Sequence, residues 1–185
     1  MEICLTSADT NKQLAQIKKL YKESFPRNER KPFFLILKKR KQGYADIISI
    51  KAADKSAEDE RILGEAIIVK NGDIALLDYF AISPDFRGRG IGSQALKLLQ
   101  KRYGNCRFIL EIESTFHPAP DAEQRTNRKN FYLRGGMGCM DYLISLFGVE
   151  MEIMTYGCEV AFEEYYAFYE TTFGRYMKGH VVKIK

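Results

Sequence analysis

The 185-residue sequence lacks an apolar run long enough to span a membrane. Its first ten residues, MEICLTSADT, also lack the basic and apolar regions of a secretory signal. Its four cysteines are scattered without CxxC spacing, so we expect buried free thiols rather than disulfides or a metal site. With 45% hydrophobic residues, the chain can bury one sizeable core. These features predict a cytoplasmic single-domain protein with no membrane partner and no bound metal.

An excess of charge of one sign is also lacking. The sequence mixes 29 Lys and Arg residues with 24 Asp and Glu residues, for a net charge of +5. The densest basic run, KKRKQ at residues 38–42, follows an apolar stretch and is typical of the solvated end of a helix. No nucleic-acid-binding motif accompanies it, so we expect no nucleic acid partner. The alternative of a ribosome- or RNA-associated protein is supported only by the net positive charge.

The spacing of hydrophobic residues predicts a chain that contains both helices and strands. Helices are expected at residues 11–25, 33–41, 90–102, 121–134 and 159–173, and strands at residues 3–5, 44–53, 61–70, 73–82, 106–113, 138–147 and 149–156. DKSAEDE at residues 54–60 is typical of a hairpin loop, and Asn71-Gly72 of a tight turn. The sequence therefore predicts a mixed α/β (α+β) fold with a three-stranded meander.

Three glycines lie between a predicted strand and a predicted helix in FRGRGIG, residues 86–92. A dinucleotide fingerprint would need a third glycine where Ser93 stands, and a phosphate loop would need a Gly-Lys-Ser/Thr ending. A glycine turn without a ligand is one remaining alternative. The other is an anion site, because successive N–H groups and a helix N-terminus attract anions and glycine lets phosphate oxygens approach. With Arg87 and Arg89 adding positive charge, the loop suits a pyrophosphate.

Two segments resemble a known family. ISPDFRGRGIG, residues 82–92, resembles motif A of the GCN5-related N-acetyltransferases (GNAT), Arg/Gln-x-x-Gly-x-Gly/Ala, which Arg87, Gly90 and Gly92 fill. RKNFYLRGGM, residues 128–137, resembles motif B, where a helix ends in Phe-Tyr-x-x-x-Gly-Phe. Arg125 stands where many members carry an asparagine, and Met137 replaces an aromatic residue. The segment FPRNERKPF is similar to one in uncharacterised bacterial members.

The resemblance implies a mostly antiparallel sheet with a splayed central strand pair flanked by helices. It extends to about residue 157, so residues 1–157 would form the acetyltransferase domain. Residues 158–185 would then be a C-terminal helix and basic tail packed on the same domain. The stripe of Phe162, Tyr165, Tyr166, Tyr169 and Phe173 would pack onto the sheet or help to form a homodimer.

The resemblance further implies an acetyl-coenzyme A-dependent N-acetyltransferase, in which a primary amine of a small molecule or peptide attacks the thioester directly. A catalytically silent coenzyme A-binding sensor or interaction module is the alternative. The motif B tyrosine, Tyr132, would be the general acid. The implied cofactor contacts are Phe80, Ala81 and Ile82 for the pantetheine, Arg87, Gly88, Arg89, Gly90, Ile91 and Gly92 for the pyrophosphate, and Asn127.

Carboxylates within apolar strands are costly unless they are paired or face a cleft. Asp78 lies on one such strand, and Glu111 and Glu113 share a face of another because they are two residues apart. Asp78, slightly favoured, and Glu113 are the candidate bases, while Glu111 is a candidate acceptor contact. For each of the three carboxylates, the alternative is a purely structural role in which the charge is satisfied by a partner within the fold. Further candidate acceptor contacts are Phe25 and Arg30 in the loop after the first helix, and His117 in STFHPAP.

Overall fold

A computed structural model of the protein describes residues 1–53 and 61–184. Its five α-helices are α1 (Asn11–Ser24), α2 (Phe33–Lys41), α3 (Ile91–Arg102), α4 (Ala122–Arg134) and α5 (Phe162–Phe173). Its eight strands are β1 (Ile3–Ser7), β2 (Ala45–Ala52), β3 (Gly64–Asn71), β4 (Ile74–Ile82), β5 (Arg107–Glu113), β6 (Gly138–Leu146), β7 (Val149–Tyr156) and β8 (Val181–Lys183). The predicted α+β class is confirmed. The hairpin loop predicted at residues 54–60 lies outside the described residues.

The chain divides into two compact units. The first consists of Met1–Lys70 and Leu77–Arg102, and the second of Asn71–Leu76 and Tyr103–Lys185. Strands of the first unit lie in the order β1-β2-β3-β4, and those of the second in the order β4-β5-β7-β6-β8, since β4 is divided between the units. The sheet is mostly antiparallel, as the pairs β1–β2, β2–β3, β5–β7, β6–β7 and β6–β8 show.

In the first unit, α1 begins at a capping box. The Thr10 side chain accepts a hydrogen bond from the Gln13 N–H, and the Gln13 side chain accepts one from the Thr10 N–H. The buried side of α1, which includes Ile17 and Tyr21, packs against α2 and strand residues such as Ile47. A second apolar cluster joins α3 to the strands, as the spacing of its apolar residues predicts.

In the second unit, β5 pairs with β7 in a register that places Glu111 opposite Ile153. The short strand β8 pairs with β6 and was not predicted, because three residues carry too little alternation to recognise. The stripe of α5 is buried at Tyr165 and Tyr169, as predicted, whereas other members of the stripe are only half-buried. Whether the chain also pairs with a second copy stays a prediction.

All four cysteines are free thiols, as expected, but none is buried. Cys4, Cys106 and Cys158 are half-buried and Cys139 is exposed. The spacing of apolar residues predicts which residues form strands. It does not predict which residues of a strand are shielded from solvent by neighbouring helices and loops, so the burial of the cysteines was wrongly predicted. Among the described residues, no helix has the length and apolar character required to cross a membrane, and no cluster of metal-ligating side chains occurs.

Candidate functional site

The glycine loop belongs to the first unit and connects β4 to α3. A 3₁₀ turn at Pro84–Phe86 follows β4, and the Arg87 Nε donates a hydrogen bond of 3.0 Å to the Ile82 carbonyl. Gly88 and Gly90 have φ angles of 74° and 75°, which side chains of L residues rarely adopt. The Gly90 carbonyl accepts the Gln94 N–H at 3.1 Å, so α3 begins immediately after the loop.

The surroundings of this loop are open and favour an anion. An added Cβ at Gly88 or at Gly90 would meet no atom within 4 Å among the described residues, so the space beside both is open. The first turn of α3 reads Ile-Gly-Ser-Gln and contains no acidic residue to oppose an anion. Arg87 and Arg89 are exposed beside it, and the Arg89 guanidinium lies 5.6 Å from the Phe86 ring centre. The helix N-terminus therefore keeps its positive end available.

The other predicted cofactor residues lie on β4 and α3 of the first unit and on α4 of the second. Phe80 and Ile82, on β4, are half-buried and pack against the apolar cluster of α3, while Ala81 between them is buried. Ile91 is buried in the same cluster, so its side chain serves packing and only its main chain faces the loop. Asn127 is exposed on α4 in the second unit.

The α1–α2 loop, residues 25–32, is fixed to the first unit by two tyrosine hydroxyls. The Tyr79 hydroxyl accepts the Lys31 N–H at 2.9 Å and donates to the Glu29 carbonyl at 3.0 Å. The Tyr21 hydroxyl donates to the Lys31 carbonyl at 3.0 Å. Burial raises the pKa of Tyr21 to about 12, so its hydroxyl keeps its proton at neutral pH. Phe25 packs edge-on against Tyr79 at 5.0 Å.

Asp78 forms an ion pair with this loop. Its Oδ1 lies 2.6 Å from the Lys31 Nζ, which is also 5.7 Å from the Tyr79 ring centre. The Asp78 side chain is only 7% exposed, and its Oδ2 has no hydrogen-bond partner among the described residues. The Lys31 ammonium therefore ties the Asp78 carboxylate to the α1–α2 loop. Arg30, the neighbouring loop cation, donates to the Lys22 carbonyl at 3.1 Å, near the end of α1.

A second unpaired carboxyl in the first unit is Glu65 on β3. The residue is fully buried, and neither of its carboxyl oxygens has a hydrogen-bond partner within the described part of the chain. Burial raises the pKa of Glu65 to about 9, so the group is a neutral acid at pH 7. Ser49, its partner residue on β2, is equally buried, and its hydroxyl also has no hydrogen-bond partner among the described residues.

In the second unit, Tyr132 lies on the buried side of α4. Burial raises the pKa of Tyr132 to about 12, although the nearby Arg128 acts in the opposite direction. The phenol is therefore protonated at neutral pH, as a proton donor must be. The Tyr132 carbonyl accepts the Met137 N–H at 3.1 Å, so Met137 continues the tight helix end that the motif predicts.

Glu113 is the last residue of β5, from where it contacts two arginines of α4. Its carboxylate lies 3.0 Å from the Arg125 guanidinium and 3.3 Å from that of Arg128. Arg125, which stands in the asparagine position of motif B, is also paired with Asp121 at 2.9 Å. These contacts favour a structural role for Glu113, and its role as a base stays a prediction.

Glu111, two residues earlier, contacts α5 instead. The hydroxyls of Tyr165 and Tyr169 each donate a hydrogen bond of 2.6 Å to the Glu111 Oε1. Burial, and next the Glu111 charge, raise the pKa of Tyr165 well above 10. The contacts favour a structural role for Glu111, so its contact with an acceptor remains untested. His117 has a side chain that is 73% exposed and lies 3.5 Å from Glu150, in a surface loop.

A further buried ion pair joins α4 to β7. Glu152 is 3% exposed and accepts hydrogen bonds from Lys129 at 2.5 Å and from the Thr115 N–H and hydroxyl at 2.9 and 2.8 Å. Burial raises the pKa of Glu152, but the bonds from Lys129 and Thr115 outweigh burial and leave it below 4.5.

The sequence interpretation omitted Lys31, Tyr21 and Tyr79. Lys31 and Asp78 are 47 positions apart, and no spacing rule connects a loop lysine to a strand carboxylate. The available signal was chemical, since an aspartate within the apolar strand IALLDYFAI requires a cation or a ligand. Both residues 26–32 and the glycine loop offered such cations, and the sequence does not choose between them.

Comparisons with known proteins agree with the motifs. A model of the acetyltransferase (GNAT) family matches residues 14–126. A solved structure from Bacteroides thetaiotaomicron, assigned to the GNAT family, is 19% identical, covers 92% of this chain and 95% of its own, and has a TM-score of 0.70. No curated protein matches the sequence.

Two further solved structures are acetyltransferases with different named substrates. The ribosomal-protein-S18-alanine N-acetyltransferase of Escherichia coli is 15% identical, with coverage of 86% of this chain and 96% of its own and a TM-score of 0.58. An aminoglycoside 6'-N-acetyltransferase complexed with coenzyme A is 12% identical, with coverage of 87% and 100% and a TM-score of 0.63. These structures share the fold. The family model spans more than half of the chain and includes the glycine loop, so the chain belongs to the GNAT acetyltransferase family, and acyl transfer from acetyl-coenzyme A follows from that membership.

Proposed function

We propose that the protein transfers the acetyl group of acetyl-coenzyme A to a primary amine of a small molecule or peptide by direct attack of the amine. The observation that carries this proposal is the exposed glycine loop, whose two positive φ angles and acid-free helix start form an anion cradle inside the matched family region. Bound acetyl-coenzyme A supplies an activated thioester.

The cofactor-binding residues act mainly through their main chains. The N–H groups of residues 87–92, with the Arg87 and Arg89 guanidinium groups, bind the pyrophosphate oxygens. The main chain of Phe80, Ala81 and Ile82 holds the pantetheine amides and polarises the thioester carbonyl. Asn127 adds a polar contact from α4.

Tyr132 acts as the general acid. Its hydroxyl is protonated at neutral pH because burial raises its pKa to about 12. It gives its proton to the departing sulfur as the new C–N bond forms and the C–S bond breaks, and it regains a proton from solvent. The ring supplies packing, so the acid role depends on the hydroxyl alone.

Asp78 acts as the base. An amine must lose a proton before it attacks, and the carboxylate takes that proton directly or through one water. Asp78 is favoured over Glu113 because its Oδ2 has no hydrogen-bond partner in the described part of the chain, whereas Glu113 contacts two guanidinium groups. Phe25 and Arg30 from the α1–α2 loop, together with Glu111 and His117, are the proposed acceptor contacts.

The substitution Gly92→Glu tests the cofactor site. Gly92 lies in the first turn of α3 and is not among the glycines with positive φ, so a side chain there leaves the backbone unstrained. A glutamate near a helix N-terminus stabilises the helix, yet it repels a pyrophosphate. We expect calorimetry to show coenzyme A affinity reduced about tenfold or more, with an unchanged melting temperature.

Thr171→Glu, an equal change of charge at an exposed position of α5, is the matched control and should bind coenzyme A as the parent does. If Gly92→Glu binds coenzyme A with the parental affinity, the cofactor does not bind at this loop. A panel of amines, amino acids, aminoglycosides, polyamines and peptides, assayed for thiol release, then tests the transfer itself. Cofactor binding without thiol release from any of them would support a silent binding module.

A further inference from the structure

The first unit contains an ammonium site that is filled by the chain's own lysine. The Lys31 Nζ lies 2.6 Å from the Asp78 Oδ1 and 5.7 Å from the Tyr79 ring centre. A carboxylate beside an aromatic face is an arrangement that stabilises organic cations. It is also what a primary ammonium needs before the base removes its proton.

Lys31 is positioned by its backbone as well as by its charge. The Tyr79 hydroxyl holds its N–H and the Tyr21 hydroxyl holds its carbonyl. The backbone of this residue is therefore fixed, while its side chain, 30% exposed, can turn outwards. The Asp78 side chain behind it is only 7% exposed, and its Oδ2 is buried without a described hydrogen-bond partner. Displacement of the Lys31 ammonium opens a route to this carboxylate.

We infer that Lys31 determines acceptor specificity, and that the acceptor is a primary amine with an anionic group two or three bonds away, as in an amino acid. The acceptor ammonium takes the place of Lys31 on Asp78, and its anion pairs with the displaced Lys31 ammonium. This inference rests on the proposed acetyl transfer at the same site.

The charges of the loop support an anionic partner. Arg27, Arg30 and Lys31 outnumber Glu29 within residues 25–32. An acceptor with a positive charge only would leave the displaced ammonium beside further cations, which is unfavourable. A zwitterion exchanges one ion pair for two, because each of its charges meets an opposite charge already present. Polyamines are therefore disfavoured and amino acids favoured.

Two matched acceptor pairs test the inference. Glycine and β-alanine are compared with glycinamide and β-alaninamide at equal concentrations of the protonated amine, which is the form that would take the place of the Lys31 ammonium, so that the anion is the difference between the members of each pair. We expect the parent to prefer the acids by about tenfold or more in kcat/KM. Lys31→Met should abolish that preference through lower values for the acids, while Lys31→Arg should retain it. Lys41→Met, an exposed lysine at the end of α2, is the control and should match the parent.

Calorimetry with coenzyme A-saturated protein gives a readout that is independent of turnover. β-Alanine should bind to the parent and to Lys31→Arg, and binding should be lost in Lys31→Met. Because Lys31→Met leaves the Asp78 carboxylate, 7% exposed, without its ammonium partner, its melting temperature should fall, and circular dichroism at the assay temperature checks that the variant is folded. Equal use of acids and amides by the parent, or an acid preference that survives in Lys31→Met, overturns the inference while acetyl transfer stands. If coenzyme A binds and no amine releases thiol, the proposed function fails instead, and β-alanine binding alone then decides the role of Lys31.

Discussion

The two units differ in how the oxygens of their buried carboxyl groups are hydrogen-bonded. In the first unit, neither oxygen of Glu65 and only one oxygen of Asp78 has a hydrogen-bond partner among the described residues. In the second unit, the three glutamates that contact α4 and α5 each meet at least two donors, namely Glu111, Glu113 and Glu152. The exception in that unit is Glu150, whose Oε1 is buried without a hydrogen-bond partner among the described residues and lies 3.5 Å from the His117 Nε2.

This difference separates candidate function from structure. A buried carboxyl with satisfied oxygens joins elements together, and its removal costs stability. A buried carboxyl with unsatisfied oxygens costs stability in the free protein and is able to accept a ligand or a proton. The contrast explains why Asp78, rather than Glu113, is the stronger candidate base, although both lie on apolar strands.

The largest expected effect is on turnover. Asp78→Asn should reduce kcat/KM at pH 7 by about 100- to 10,000-fold, because the amine loses its base. The loss should shrink as pH rises, since the acceptor then deprotonates without help. Glu113→Gln should reduce kcat/KM less than about tenfold, because it changes a structural contact. Steady-state kinetics across pH checks both, and a larger loss for Glu113→Gln would reverse the comparison.

Tyr132→Phe tests whether the second unit contributes to chemistry through a phenol rather than a carboxylate. Turnover should fall by about 100-fold, while coenzyme A affinity changes less than about twofold, because the ring remains and only the proton donor is lost. Single-turnover measurements with a good acceptor isolate the chemical step. Parental rates in that assay would make Tyr132 a packing residue.

Lys129→Met tests how much the fully hydrogen-bonded carboxylate of Glu152 contributes to stability. It leaves Glu152, 3% exposed, without its ammonium partner, and should lower the free energy of unfolding by about 3 kcal/mol at pH 7. Because the folded-state pKa of Glu152 lies below 4.5, the pair stabilises the fold above that pH and loses its effect as pH falls. Denaturant titrations at pH 7 and pH 4 should therefore show a smaller difference at the lower pH. Lys41→Met serves as the surface control.

The smallest expected effect concerns Glu65. Its folded-state pKa of about 9 exceeds the ordinary 4.5, so the folded state retains a proton that the unfolded state loses. The contribution of Glu65 to stability should thus be greatest below pH 4.5 and decline as pH rises towards 9. Glu65→Met removes the unsatisfied carboxyl and should raise the free energy of unfolding by about 1–3 kcal/mol at pH 8. A variant that keeps the parental slope would place the titrating group elsewhere.

Local patterns predicted local features of the fold. Phe33–Lys41 forms a helix with the predicted bounds, because apolar spacing acts over a few residues. The glycine loop was recognisable because its composition conflicts with the strand and the helix that flank it.

Contacts between distant residues were beyond the sequence patterns. The pairing of Lys31 with Asp78 and the contact of Glu111 with Tyr165 and Tyr169 depend on tertiary packing. Alternation assigned Glu111 and Glu113 to one face but could not show that one contacts α5 and the other α4. For the candidate site, the sequence therefore predicted the carboxylates but not the partners that distinguish them.

The two tyrosine hydroxyls that hold the α1–α2 loop have a consequence for conformational entropy. Ordering the backbone of one residue costs about 1–2 kcal/mol at 25 °C, and this loop would lose that freedom on binding if it were unattached. Because Tyr21 and Tyr79 restrain Glu29 and Lys31 in the free protein, this loss accompanies folding instead. An acceptor that binds at the proposed site would meet a preorganised surface on which only side chains rearrange, and its affinity would reflect charge exchange rather than loop ordering.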